Sequence, residues 1–230
     1  MKLGKTEVQP WLDDVAPGHS LASLAQVADL PRFSVAQQIR RGSVAPSTLA
    51  AIARGLQRDP LTELSRFEAF AGVSPGSPSL QEIAAFIPTP ELLQATVHRI
   101  RVVKTVEVDL GDEFYDRLPL NWFDLADDGN LRAYIQQDLG VAQPTLWKML
   151  RTRLREDVSL AIAAYANFTP VSALVVSGVI SGAEAGWEPE CRARWVNAIA
   201  LGQLLGVAEK RLHEVGKHER SRETFEDHLG

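Results

Sequence analysis

Apolar positions along this chain recur mostly at three- and four-residue spacing, which predicts amphipathic helices rather than strands. Leu21, Leu24, Ala25 and Ala28 form a short stripe opened by Ser20 as an N-cap, and Asp29-Leu30-Pro31 breaks it, because the residue before proline disfavours the helical region. The small residues Ala25 and Ala28 leave room for a crossing helix. A second helix is predicted from Phe33 to Arg41, with Val35 and Ile39 inward and Gly42 ending it as a C′ residue. Leu49, Ile52, Ala53 and Leu56 then follow Pro46 at helical spacing, and Pro60–Leu64 begins another helix.

The stretch 71–78 is rich in Gly, Pro and Ser and reads as a linker. Beyond it, Leu80–Phe86 and Pro90–Ile100 are expected as helices, the first capped by Ser79. Arg101–Leu110 is the one segment with extended character. Leu131, Ile135 and Leu139 then line one helix face, Gly140 turns, and Pro144 opens a helix whose inner face is Leu146, Leu150 and Leu154. No charge occurs from Val158 to Gly182, so this stretch is expected to be core, with a dimer surface as the lesser alternative. Arg194–Leu205 and Val207–Leu212 close the bundle, with Trp187 and Trp195 packed there. Lys217–Gly230 is polar and expected to fray. The fold class is therefore all-α: a helical domain at 8–70, a helical and extended connector at 71–108, a second helical domain at 109–216 and a tail at 217–230.

Composition narrows the function. At 230 residues, 45% hydrophobic and 23% charged, the chain can bury two small cores. A single cysteine, Cys191, excludes an internal disulfide and suits a reducing cytoplasm. No run approaches the ~20 apolar residues of a membrane helix, and the start has no signal-peptide pattern. Net charge is −5, but its distribution is segregated. Lys148, Arg151, Arg153 and Arg155 fall between Gly140 and Arg155 without an acid, and Arg32, Arg40 and Arg41 cluster likewise. Such basic patches suit nucleic acid.

In the first patch, Ser34, Gln37, Gln38 and Arg41 lie on the outer side of the predicted 33–41 helix. Gln and Arg can make bidentate contacts with adenine and guanine edges, and Arg32 and Arg40 at the flanks suit phosphates. The motifs SLxxLA from Ser20, IxRG from Ile39 and PSTLxxIAxxL from Pro46 run in one order. Together they resemble the lambda-repressor-like (XRE-type) helix-turn-helix family over roughly Leu12–Phe67, with Asp29-Leu30-Pro31 where that family usually turns on a glycine. The resemblance implies duplex DNA binding by a repressor-type regulator.

Leu131–Arg155 has the pattern of a generic helix-turn-helix. Thr145, Lys148, Thr152 and Arg155 recur along one face, with Gln143 at its start and Arg151 beside them. Trp147 is expected at a domain seam. The five histidines form no ligand cluster, and no P-loop, G-x-S-x-G or dinucleotide fingerprint is present. Glu107, Asp109, Asp112, Glu113 and Asp116 read as a solvated face. No enzyme and no cofactor is expected. The sequence therefore predicts a transcription regulator with two unlike readers, bound as a monomer to a composite site, a homodimer on a palindrome being the alternative. The rival from another class is an adaptor or antitoxin-like module docking a partner through the uncharged 158–182 stretch.

Overall fold

The computed structural model describes residues 3–101, 118–188 and 191–227, and these are mostly helical. In the first unit, α1 (Lys5–Val15), α2 (Leu21–Val27), α3 (Arg32–Arg40), α4 (Pro46–Gly55) and α5 (Pro60–Ser65) enclose a core of Trp11, Leu24, Val35, Leu49, Ile52 and Leu61. A two-residue antiparallel pairing of β1 (Leu3–Gly4) with β2 (Ser43–Val44) ties the chain start to the end of α3. Ser20 caps α2, its hydroxyl accepting from the Ser23 amide at 3.2 Å. The end of α2, at Val27 and Ala28, is crossed closely by α4 at Gly55. A Cβ there would lie 2.0 Å from the Val27 carbonyl oxygen.

The second unit repeats the first. It comprises α8 (Leu118–Ala126), α9 (Leu131–Gln137), α10 (Gln143–Arg151), α11 (Glu156–Ala166) and α12 (Pro170–Val176). Starts at 21, 32, 46 and 60 recur at 131, 143, 156 and 170, an offset of 110 or 111 each time. Backbone detail repeats too. Gln57 and Asn167, both left-handed, precede the capping residues Asp59 and Thr169, and Pro60 and Pro170 then open the next helix. The two units thus share one element order, while the residues on their outward helix faces differ. Val158, Ile162 and Val171–Ser177 are buried in the second unit, so most of the uncharged stretch is interior.

Between the units lies a hub. It contains α6 (Leu80–Ile83), a 3-10 turn at Ala84–Phe86, α7 (Thr89–Arg101), α13 (Cys191–Ala198) and α14 (Leu201–Asp227). Here 80 and 89 recur as 191 and 201, so the hub is duplicated as well. α7 packs on α14, and α6 with its 3-10 turn packs on α13. Phe86, Trp187 and Trp195 meet edge to face, with ring centroids 4.7 Å and 5.3 Å apart for the two pairs that include Trp187.

Three connector and tail expectations change. The 71–78 stretch is docked rather than free: the Gly76 amide donates to Ala185 O, and the Trp187 indole donates to Gly76 O at 2.8 Å. Ile83–Ile87 is core, each residue no more than 3% exposed. Helix α14 continues to Asp227, where fraying was expected from Lys217; residues 217–227 contain neither Pro nor Gly to stop it. Of the expected extended segment only Arg101 is described, as the last residue of α7. The rest, with the carboxylates from Glu107 to Asp116, lies outside the described residues. No described helix is long and apolar enough to cross a membrane.

Candidate nucleic-acid interface

Both units present the same small assembly, a helix, a left-handed turn and a second short helix. In the first unit Asp29 takes φ +51° at the α2–α3 turn; in the second Gly140 takes φ +62° at the corresponding place. Aspartate is among the few side chains that tolerate this region, which is how the first turn dispenses with glycine. Gly42, at φ +61°, ends α3 as expected.

On α3 the wholly buried Val35 sets the inner face. Phe33, Gln37 and Arg41 follow one another at four-residue steps on the opposite side, with Ser34 and Arg40 flanking them. Phe33 is 77% exposed. In the sequence Phe33 stands at the predicted helix start and is not among the candidate readers. The signal available was its place in the Gln37–Arg41 register, which makes it outward.

Gln38 belongs elsewhere. Its Oε1 accepts from the Ala45 amide at 2.8 Å and from the Thr48 hydroxyl at 3.1 Å, while its Nε2 donates to Ser34 Oγ at 3.4 Å. It is therefore a strut between α3 and the start of α4, which corrects its assignment as a base reader. Gln38→Ala is accordingly expected to lower stability by about 1 kcal/mol in chemical denaturation. A loss of DNA selectivity with unchanged stability would return Gln38 to the reading surface.

On α10, Leu146, Met149 and Leu150 are buried, leaving Gln143, Thr145, Lys148 and Arg151 exposed. The helix stops at Arg151, one turn earlier than the predicted stripe requires. Thr152 turns back so that its hydroxyl donates to Lys148 O at 2.9 Å. Arg155 lies past the helix and forms a two-pronged pair with Asp157. That bond, working against burial, holds the Asp157 carboxyl down at about 2. Arg153 donates to the carbonyls of Ser177 and Gly178 at the end of α12. Two of the four cations in this run are thus engaged internally. Trp147 packs within its own unit, the Arg132 guanidinium 5.0 Å above its ring, and not at a seam.

Superposing the units by element order aligns the remaining candidates. Arg32 corresponds to Gln143, Ser34 to Thr145, Gln37 to Lys148, Arg40 to Arg151 and Arg41 to Thr152. The candidates that fall out of this correspondence are Gln38, which matches the buried Met149, and Arg155, which lies beyond α10. Both make side-chain contacts within the chain instead. Arg32, Arg40, Arg41, Lys148 and Arg151 are exposed and make no ion pair with the described residues. Among the described residues, no group of His, Cys, Asp or Glu could hold a metal ion.

No family model matches this chain, and no curated protein or solved structure does either.

Proposed function

We propose that this chain is a sequence-specific, double-stranded-DNA-binding transcription regulator of phage or prokaryotic repressor type, acting in the cytoplasm. Its readers are two helix-turn-helix units, α2–α3 and α9–α10. The first resembles the lambda-repressor-like family through Ser20, Leu21, Leu24, Ile39, Gly42 and Pro46–Leu56. The observation that carries the reading is the repeated outward set on α3 and α10, with polar residues at equivalent positions and with Arg32, Arg40, Arg41, Lys148 and Arg151 in no ion pair with the described residues.

The roles divide by chemistry. Gln37 and Arg41 suit purine edges, Phe33 suits a thymine methyl, and Lys148 and Arg151 supply the phosphate neutralisation that dominates affinity. Arg32, Ser34, Arg40, Gln143 and Thr145 surround these groups as further hydrogen-bond donors, and Thr152, whose hydroxyl donates to Lys148 O, can offer only an acceptor. The reading assigns the chain no catalytic step and no cofactor. The adaptor alternative loses its surface, because 158–182 is largely buried.

An electrophoretic shift against random and selected duplexes at two salt concentrations tests the proposal. Binding that weakens steeply with salt is expected. Absence of any shift at low salt would sink it. On a selected site, Gln37→Ala and Phe33→Ala should each cost ~1–3 kcal/mol at particular base pairs. The Phe33 effect should vanish when deoxyuridine replaces the thymine concerned; an effect that persists would place Phe33 off the groove.

A further inference from the structure

We infer that a single copy of this chain is a built-in pseudo-dimer, and that it reads two unlike half-sites arranged as an inverted pair. The inference rests on the DNA-binding reading above and adds the arrangement of the site. Its basis is a reciprocal contact in the hub. Arg99 on α7 donates to the carbonyls of Val196 and Ile199, at the end of α13. Arg211 on α14 donates to the carbonyls of Ala84 and Ile87, at the end of the α6 turn. The three correspondences, 99 with 211, 84 with 196 and 87 with 199, share one offset of 112.

Contacts of this kind identify the relation between the halves. In a two-fold pair, residue i of one copy meets j of the other and j meets i; a head-to-tail pair has no such reciprocity. Each guanidinium also caps the carbonyl end of the other half's short helix, where positive charge is favoured. The loops of the two halves also meet, 71–78 bonding to 182–188 through Gly76, Ala185 and Trp187. Exposure follows it as well: Ile100 and Leu212, again 112 apart, are 58% and 52% exposed.

Readers related by a two-fold meet a duplex with opposite polarity, so the site they prefer is inverted, with half-sites a whole number of helical turns apart. The readers themselves have diverged. Arg40 and Arg151 are the same, and Ser34 and Thr145 keep a hydroxyl. Arg32, Phe33, Gln37 and Arg41 face Gln143, Pro144, Lys148 and Thr152. The two half-sites therefore share a backbone footprint and differ in their bases. Units that are already linked need no second chain to assemble the pair.

The test grafts the α3 surface onto α10 in the full chain, as Q143R, P144F, T145S, K148Q and T152R, and selects bound sequences from a random duplex pool. The expected site is a true palindrome built from the first half-site, in a one-to-one complex by native mass spectrometry. A tandem repeat, or a two-to-one complex, overturns the inference while leaving DNA binding intact. Failure of the native chain to bind any duplex overturns both. Should the graft fold poorly, iron-chelate cleavage probes at Q26C and Q136C, exposed and equivalent positions on α2 and α9 outside the reading surface, give a second reading in the otherwise native chain. Cuts displaced in opposite directions from the two half-site centres support the two-fold, and cuts displaced in the same direction exclude it.

Discussion

Glu82→Ala is expected to lower the unfolding free energy by about 3 kcal/mol, more than any other single change considered for this chain. Glu82 is 0% exposed, on the first-half helix α6. Its carboxylate accepts from the Ser79 amide at 2.8 Å and from the Thr169 amide at 3.1 Å. It also accepts from the hydroxyls of Thr169 and Ser172. One acid thus terminates both α6 and α12, helices that belong to different halves. Alanine would leave these donors buried beside a small void, and an unsatisfied buried donor costs ~1–3 kcal/mol. Glu82→Gln retains one acceptor oxygen and should lose less. Urea denaturation followed by circular dichroism measures both variants. A loss below ~1 kcal/mol for alanine would mean that water enters and replaces the carboxylate.

The largest effect on binding is expected from the double variant Arg40→Ala/Arg151→Ala. The two arginines occupy equivalent places at the ends of α3 and α10, both are exposed, and neither has an internal partner among the described residues. Each hydrogen bond to a charged group is worth ~1.5–3 kcal/mol, and well-separated sites add. Affinity should therefore fall at least ~100-fold at moderate salt. The slope of log affinity against log salt should flatten by about two units, close to one for each lost phosphate contact. Folding should be unaffected. Titrations at three salt concentrations separate the halves: if only one single variant flattens the slope, the other unit does not touch the backbone.

The contrast between Gln37 and Gln38 shows where reading the sequence stops. Both are glutamines on one short helix; Gln37 lies opposite Val35, whereas Gln38, three positions after Val35, lies at the edge of the inner face, where helical geometry alone does not say whether a side chain is bonded. What distinguishes Gln38 is the arrival of the Ala45 amide and the Thr48 hydroxyl at its side-chain oxygen, and that depends on the path taken through Gly42 to α4. Arg153 and Arg155 belong to the same class. They count as basic surface until the end of α12 and Asp157 are placed beside them.

The duplication was illegible for a related reason. Equivalent positions keep character rather than identity: Val35 with Leu146, Ile39 with Leu150, Asp29 with Gly140, Gln57 with Asn167. Burial and backbone handedness persist in such pairs while the letters change, so a comparison of residues finds little. Loops and linkers fail differently. The Gly, Pro and Ser content of 71–78 describes what the backbone can do, and its docking on Ala185 and Trp187 is decided by those partners.

The sequence by itself determined the local elements: helices from 3.6-residue periodicity, ends from Ser20, Gly42, Pro144 and Gly140, and inner faces from Val35, Ile39, Leu146 and Leu150. These follow from forces acting within a few residues of chain. Only the tertiary structure decided which polar side chains stay free for a ligand and how the halves are related. Both depend on contacts between residues about a hundred positions apart, such as Arg99 with Ile199 and Arg211 with Ile87, and no local pattern encodes such a meeting.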